Sequence, residues 1–279
     1  MMSLNEYKIG VIGVGFVGSA VCKGFSSDTK RPTEVYKCDP KKLGSESIPI
    51  SDMARFVDVM FLCLPTPTGK DGYDMEPSFL RNALSEIAET RYDGLVVIKS
   101  TVTPKHLRKM NDDHPNLRIV YNPEFLTERT AEQDFQNPFF QIIGGDNMED
   151  CDELEKIYHY HSNVKESPVF TVDLETASLI KYVLNTHYAT KVMFMNEMYQ
   201  LHQESGASTT WDEFRQILAT DPRLGPSHLM VPGPDGEFGF GGNCFPKDTK
   251  ALLHYADEIG VSLSILARAV FKNKRIRGL

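Results

Sequence analysis

The chain has 279 residues, of which 41% are hydrophobic and 24% charged, an ordinary globular composition with room for two modest domains. Its net charge of -8 argues against a nucleic-acid partner, because such binding leans on a basic surface that neutralises phosphates. No apolar segment approaches the roughly 18 residues that a membrane span needs, and the opening MMSLNEYKIG lacks the features of a secretory leader, so a cytoplasmic address without membrane attachment is expected.

Short β-type runs alternate with helical patterns through the first half, the signature of a parallel sheet covered by helices. Strands are expected at residues 8–13, 34–38, 57–64, 95–99, 118–121, 141–144 and 169–172, with helices at 15–25, 77–89, 104–111 and 147–161. Residues 173–203 contain neither Gly nor Pro and repeat apolar residues at helical spacing, which predicts one long helix. A short helix at 211–218 follows, then a Gly- and Pro-rich loop at 221–242. Helical patterning resumes after Cys244 and runs from 262 to the C-terminus with no stop signal. The basic run KNKRIR at 272–277 reads as a solvated helix end whose cations complement the helix dipole. The expected architecture is α/β: a Rossmann-type, doubly wound parallel sheet over residues 1–172, then a connecting helix and a small all-α domain over 173–279.

Between the first strand and the first helix lies Gly13-Val14-Gly15-Phe16-Val17-Gly18, a GxGxxG in the context that dinucleotide binding requires. The glycines permit a tight turn, close approach of backbone to a pyrophosphate and close helix-strand packing. Asp39 stands 21 positions after Gly18, at the end of the second strand. A carboxylate there accepts the adenine ribose hydroxyls and repels a 2'-phosphate, so NAD is expected over NADP, with Lys41 and Lys42 speaking the other way. Pro65-Thr66-Pro67 and Ser100-Thr101 follow the third and fourth strands, where ligands of open α/β sheets collect.

The five cysteines, Cys22, Cys38, Cys63, Cys151 and Cys244, form no CxxC pair and no metal-like cluster, and read as reduced thiols with no metal site. Cys244 differs from the rest. It sits in FGGNCFPKD, behind two glycines and ahead of a helical pattern that places it near a helix N-terminus, where a thiolate is favoured. Three polar pairs share i,i+4 spacing: Glu124 with Glu128, Lys181 with Asn185, and Cys244 with Asp248. On helices each pair presents one face, and a cation with an amide could hold a developing oxyanion.

NPEFLTE (122–128), SLIKYVLNTHYATKVMFMNE (178–197), DPRLG (221–225) and FGFGGNCFPKDTKAL (238–252) occur in that order behind the fingerprint, and the chain resembles the UDP-glucose/GDP-mannose dehydrogenase family. The resemblance implies an NAD-dependent, four-electron oxidation of a nucleotide sugar's primary alcohol to the uronic acid, with UDP-glucose preferred to GDP-mannose, in polysaccharide biosynthesis. Cys244 matches the family's nucleophile, Lys181 and Asn185 its oxyanion stabilisers, Asp248 and Thr101 its proton-transfer pair, and Glu128 the carboxylate of thioester hydrolysis. Glu124, Phe125, Leu126, Lys181, Asn185, Arg223 and Gly241 match sugar-nucleotide contacts, and Thr66, Thr101 and Lys247 positions near the cofactor. A homodimer is also implied.

Three departures stand out. Family members normally continue into a second Rossmann-like domain that holds much of the nucleotide, whereas this sequence ends at Leu279. The loop containing VPGPDG is longer than in many members, and Phe139-Phe140 and Thr127 replace charged residues common there. The missing domain leaves a catalytically silent NAD-binding remnant open as an alternative, and the fingerprint with a helical lysine leaves open a one-step hydroxy-acid dehydrogenase, which needs no cysteine.

Overall fold

A computed structural model describes residues 7–26 and 29–278 of the chain. The leader-free reading of the N-terminus falls mostly on residues 1–6, outside the described residues, as does residue 279. Contacts divide the chain into two compact units, Met1–Pro67 with Met75–Lys181, and Thr68–Asp74 with Tyr182–Leu279.

The first unit is a seven-stranded sheet in the order β2-β1-β3-β4-β5-β6-β7. Its elements are β1 (Tyr7–Ile12), α1 (Phe16–Ser26), β2 (Thr33–Cys38), α2 (Pro40–Leu43), α3 (Ile50–Met53), β3 (Val59–Leu62), α4 (Ser78–Glu89), β4 (Leu95–Ile98), α5 (Pro104–Asp113), β5 (Arg118–Tyr121), α6 (Ala131–Gln136), β6 (Gln141–Gly144), α7 (Met148–His161) and β7 (Val169–Val172). Every residue of β3 and β4 is buried, as expected of central strands covered on both faces. One face packs against α1, α6 and α7 through a core that includes Val21, Phe25, Phe61, Phe135 and Tyr158. All strand pairs are parallel except β5 with β6, which meet antiparallel at the single pair Tyr121 and Gly144. An all-parallel sheet was the expectation; a buried apolar strand carries no direction in its sequence, so the reversal was invisible there.

The long helix α8 (Leu174–Glu204) begins in the first unit and continues into the second, where α9 (Trp211–Ala219), α10 (Phe245–Glu258) and α11 (Ser264–Arg277) follow. Within the second unit, Ala189 and Met193 pack with Phe240 and Ala269, and Met195 packs with Trp211, Leu229 and Val231. Thr210 caps α9 in a capping box with Glu213. The stop signal missed in the sequence is Gly278, which ends α11 in the left-handed conformation at φ 66° and returns its N–H to Lys274 O. Helices α2, α3 and α6, of four to six residues, were also missed, being shorter than any window in which helical periodicity can be read.

Candidate active site

The sheet order reverses between β1 and β3, and the glycine turn sits at the carboxyl end of β1 beside that switch point. Gly13 has φ +87°, and a Cβ on it would lie 2.6 Å from Cys63 O; a Cβ on Gly18 would collide with Gly13 O. Gly15 is different, since a Cβ there would meet nothing within 4 Å. The turn therefore leaves an open cradle of bare backbone at the N-terminus of α1, where N–H groups and the helix dipole favour phosphate. Asp39 Oδ2 accepts Val14 N at 2.9 Å, and Oδ1 accepts Lys42 N at 3.2 Å. The carboxylate so braces the turn and caps α2, and its remaining lone pairs are available to a ribose. Lys42 Nζ donates to Val14 O at 2.6 Å, which commits that cation to the turn. Thr66 donates to Thr101 O at 3.0 Å, tying together the loops that follow β3 and β4. These residues fit a dinucleotide.

Beyond β5, the NPEFLTE segment is not helical, so Glu124 and Glu128 do not share a helix face as their spacing suggested. Asn122 N is still bound to Ile98 O as an extension of the sheet, Pro123 follows, and the Glu124 carboxylate takes Leu126 N at 2.6 Å, a local bond that replaces a helical one. Glu124 is buried, whereas Glu128 lies exposed in the short turn Glu128–Thr130. The same loop holds Lys181. Its ammonium donates to Glu124 O, pairs with Glu124 Oε1 at 3.2 Å, and lies 5.3 Å from the centre of the Phe125 ring. Phe125 in turn packs on Phe140 at 5.0 Å, while Phe139 points almost wholly into solvent.

Asn185 lies one turn beyond Lys181 on α8 and donates Nδ2 to Asp248 Oδ2 at 2.6 Å. Asp248 is fully buried, and its other oxygen takes Lys247 Nζ at 2.5 Å. Cys244 is the N-cap of α10, its carbonyl accepting Asp248 N at 2.8 Å, with Pro246 in the first turn, where a missing N–H costs nothing. The second unit thus joins Asn185, Lys247 and Asp248 through their side chains, with Cys244 one helical turn before Asp248. Arg223 stands on an exposed loop, with both ends of its guanidinium on Asp221 at 3.0 and 2.6 Å. Gly241 is half-buried beneath the Arg277 guanidinium, whose Nη1 would lie 2.5 Å from a Cβ there. Arg277 is only 16% exposed and bridges to Asp235, so the basic run is not wholly the solvated helix end its composition suggested.

Sequence reasoning missed Lys99. It directly follows β4 with 4% exposure and donates to Asn122 O, Asn122 Oδ1 and Tyr158 Oη at 2.9, 2.7 and 3.3 Å. Burial pushes its pKa down to about 8. Asn122 Nδ2 reaches Ile142 O at 2.6 Å, so Lys99 anchors the root of the loop that holds Lys181. A lysine closing the apolar run LVVI was the available signal, since a fully buried lysine is rare without partners.

An open cradle at a sheet switch point, followed by a helical unit, defines a dinucleotide-binding dehydrogenase architecture. The NAD binding domain of the UDP-glucose/GDP-mannose dehydrogenase family matches residues 38–162, and the central domain of that family matches residues 175–275. A UDP-glucose 6-dehydrogenase of Rickettsia felis is 32% identical over 224 residues, covering 78% of this chain and 48% of the relative. A GDP-mannose 6-dehydrogenase of Pseudomonas aeruginosa is 30% identical over 231 residues, covering 77% and 50%. A solved UDP-glucose dehydrogenase from Pyrobaculum islandicum matches with a TM-score of 0.81 over 99% of this chain and 69% of that one; at 23% identity it speaks for the fold alone. The chain belongs to the UDP-glucose/GDP-mannose dehydrogenase family, whose cofactor is NAD. It spans about half the length of the curated relatives it matches. Among the described residues, no helix is long and apolar enough to cross a membrane.

Proposed function

We propose that this protein oxidises the primary alcohol of a nucleotide sugar to the carboxylate in two steps, with UDP-glucose as substrate and UDP-glucuronate as product. The observation that carries the reading is Cys244 at the N-cap of α10, one turn before a buried Asp248 that Asn185 holds at 2.6 Å. NAD, when bound, takes a hydride in each oxidation. Asp248, with Thr101 and a water, accepts the alcohol proton in the first. The Cys244 thiolate then adds to the aldehyde carbon, and Lys181 and Asn185 stabilise the oxyanion of the thiohemiacetal. Loss of the second hydride from the thiohemiacetal would leave a thioester, which water activated by Glu128 hydrolyses, freeing the thiolate and the acid. Each sugar therefore yields two NADH. Glu124, Phe125, Leu126, Arg223 and Gly241 contact the sugar nucleotide, and Thr66 and Lys247 lie near the cofactor. Residues 1–172 serve as the cofactor domain and 173–279 as the catalytic and dimer-forming domain of a cytoplasmic homodimer.

Purified protein should form two NADH per UDP-glucose consumed and turn over GDP-mannose more slowly. A ratio of one would eliminate the double oxidation, and Cys244→Ser with full activity would favour a one-step dehydrogenase. One observation favours a second reading. The chain covers only about half of its curated relatives, and a silent NAD-binding remnant would bind cofactor and turn over neither sugar.

A further inference from the structure

Cys244 stands at the end of a glycine-rich strap, and three side chains from two helices are spent on that strap's backbone. Asn273 of α11 is 4% exposed; its Oδ1 accepts Phe240 N at 2.7 Å and its Nδ2 donates to Phe240 O at 3.0 Å. Asn196 of α8 is 7% exposed and accepts Gly239 N at 2.9 Å. Arg277 of α11 donates Nη2 to Gly239 O at 3.1 Å and to Asp235 Oδ2 at 2.7 Å, so it grips the strap at two places. Phe240 between them is buried against Met193, Ala189 and Ala269. The glycines are part of the same device. Gly239 has φ +75°, and a Cβ on it would collide with Asn273 Oδ1, while a Cβ on Gly241 would strike the Arg277 guanidinium. Burying two amides costs free energy unless both ends are satisfied, and here three backbone groups of Gly239 and Phe240, with Val192 O of α8, satisfy them.

The geometry points to Asn273, Asn196 and Arg277 as positioning residues that fix the strap 239–242, and through it hold Cys244 at the N-cap of α10. This rests on the reading of Cys244 as the nucleophile, and deepens it. A thiol at a helix N-cap gains from the dipole and the unpaired N–H groups only while it stays there, since that field decays within the first turn. A loosened strap lets Cys244 leave the cap, and the thiolate loses that stabilisation. Asn273 and Arg277 lie outside the four motifs that carry the family resemblance, and Asn273 follows Cys244 by 29 positions.

The test measures Cys244 itself. The rate of alkylation by iodoacetamide, mapped to Cys244 by mass spectrometry across pH, is compared for the unaltered protein and for Asn273→Ala, Asn196→Ala and the milder Arg277→Gln. Thr210→Ala serves as control, because it removes the cap of α9 and loosens the same unit without touching the strap. Asn273→Ala and Asn196→Ala should slow alkylation at pH 7 at least fivefold and move the midpoint of the rate-pH curve upward, with Arg277→Gln intermediate and NAD affinity unchanged. Thr210→Ala should lower the melting temperature and leave the curve in place. Alkylation that is unchanged or faster in the alanine variants, or an equal shift in Thr210→Ala, overturns the proposal. If Asn273→Ala does not fold, Arg277→Gln and Asn196→Ala decide by the same criteria. Because the readout needs no sugar nucleotide, a shifted curve in a protein without turnover would uphold the strap and sink the proposed reaction, and the reverse result would do the opposite.

Discussion

Lys181 and Glu124 show how much a single residue's surroundings decide. Both are more than nine-tenths buried, and each is the other's charge partner, with Leu126 N also donating to the carboxylate. Breaking a buried pair from one side leaves an uncompensated charge, so Lys181→Met should destabilise the protein by about 3–5 kcal/mol. Adding Glu124→Gln should return much of that loss. Urea denaturation of the three proteins checks this, and a single variant as stable as the starting protein would show that the pair does not hold the loop. The sequence marked both residues, through their spacing and through family resemblance. It could not pair Glu124 with Lys181, which is 57 positions away, and it wrongly offered Glu128 as a helical neighbour.

At the level of elements, the glycine turn was the most legible feature, because its spacing and its strand-turn-helix context are both local. Its three glycines nevertheless do different work, which only the neighbouring strand reveals. Gly18→Ala drives a Cβ into Gly13 O and should cost about 1–3 kcal/mol as α1 is forced from β1. Gly15→Ala meets no protein atom, so stability should hold, while its methyl occupies the cradle and NAD affinity should fall more than about tenfold, or 1.4 kcal/mol. Calorimetric titration with NAD alongside thermal melts separates the two effects. Unchanged NAD affinity in Gly15→Ala would refute the cradle. The long helix and the helix after Cys244 were equally legible from periodicity. The NPEFLTE loop was not, because there side-chain bonds to backbone outcompete the helical pattern that the spacing suggested.

Across the whole molecule, the buried titratable groups predict a stability plateau near neutral pH with two limbs in different units. Burial raises Cys63 to about 12 and Cys22 and Cys151 to about 11 from the ordinary 9, so the folded state keeps protons that the unfolded chain has lost, and stability falls above pH 9. Lys99, lowered to about 8, acts in the opposite sense between pH 8 and 10.5. Tyr7, Tyr92 and Tyr158 are raised by burial in the same sense as the thiols, so the groups that keep protons outweigh the one lysine and stability falls with rising pH near pH 10. All these groups lie in the sheet unit. His228, in the helical unit, is lowered to about 4 by burial and by Lys191 and His187, so its share of stability is lost as pH falls from 6.5 to 4. Trp211, the only tryptophan, reports the helical unit. Under reducing conditions, denaturation at pH 10 should weaken the circular-dichroism transition of the sheet unit before that of Trp211 fluorescence. Equal stability at pH 7.5 and 10 would contradict the assignment.

The sequence by itself determined the alternation of strands and helices, the cofactor turn, the long helix and the cysteine motif, because each is written in short-range periodicity or in residues a few positions apart. Tertiary structure decided the rest: the reversed strand β6, the brace that Asp39 gives its own turn, the buried Lys99 anchor and the asparagine clamp on the strap before Cys244. Those depend on contacts between residues tens of positions apart, and the free energy that selects them comes from satisfying buried polar groups, which no local pattern encodes.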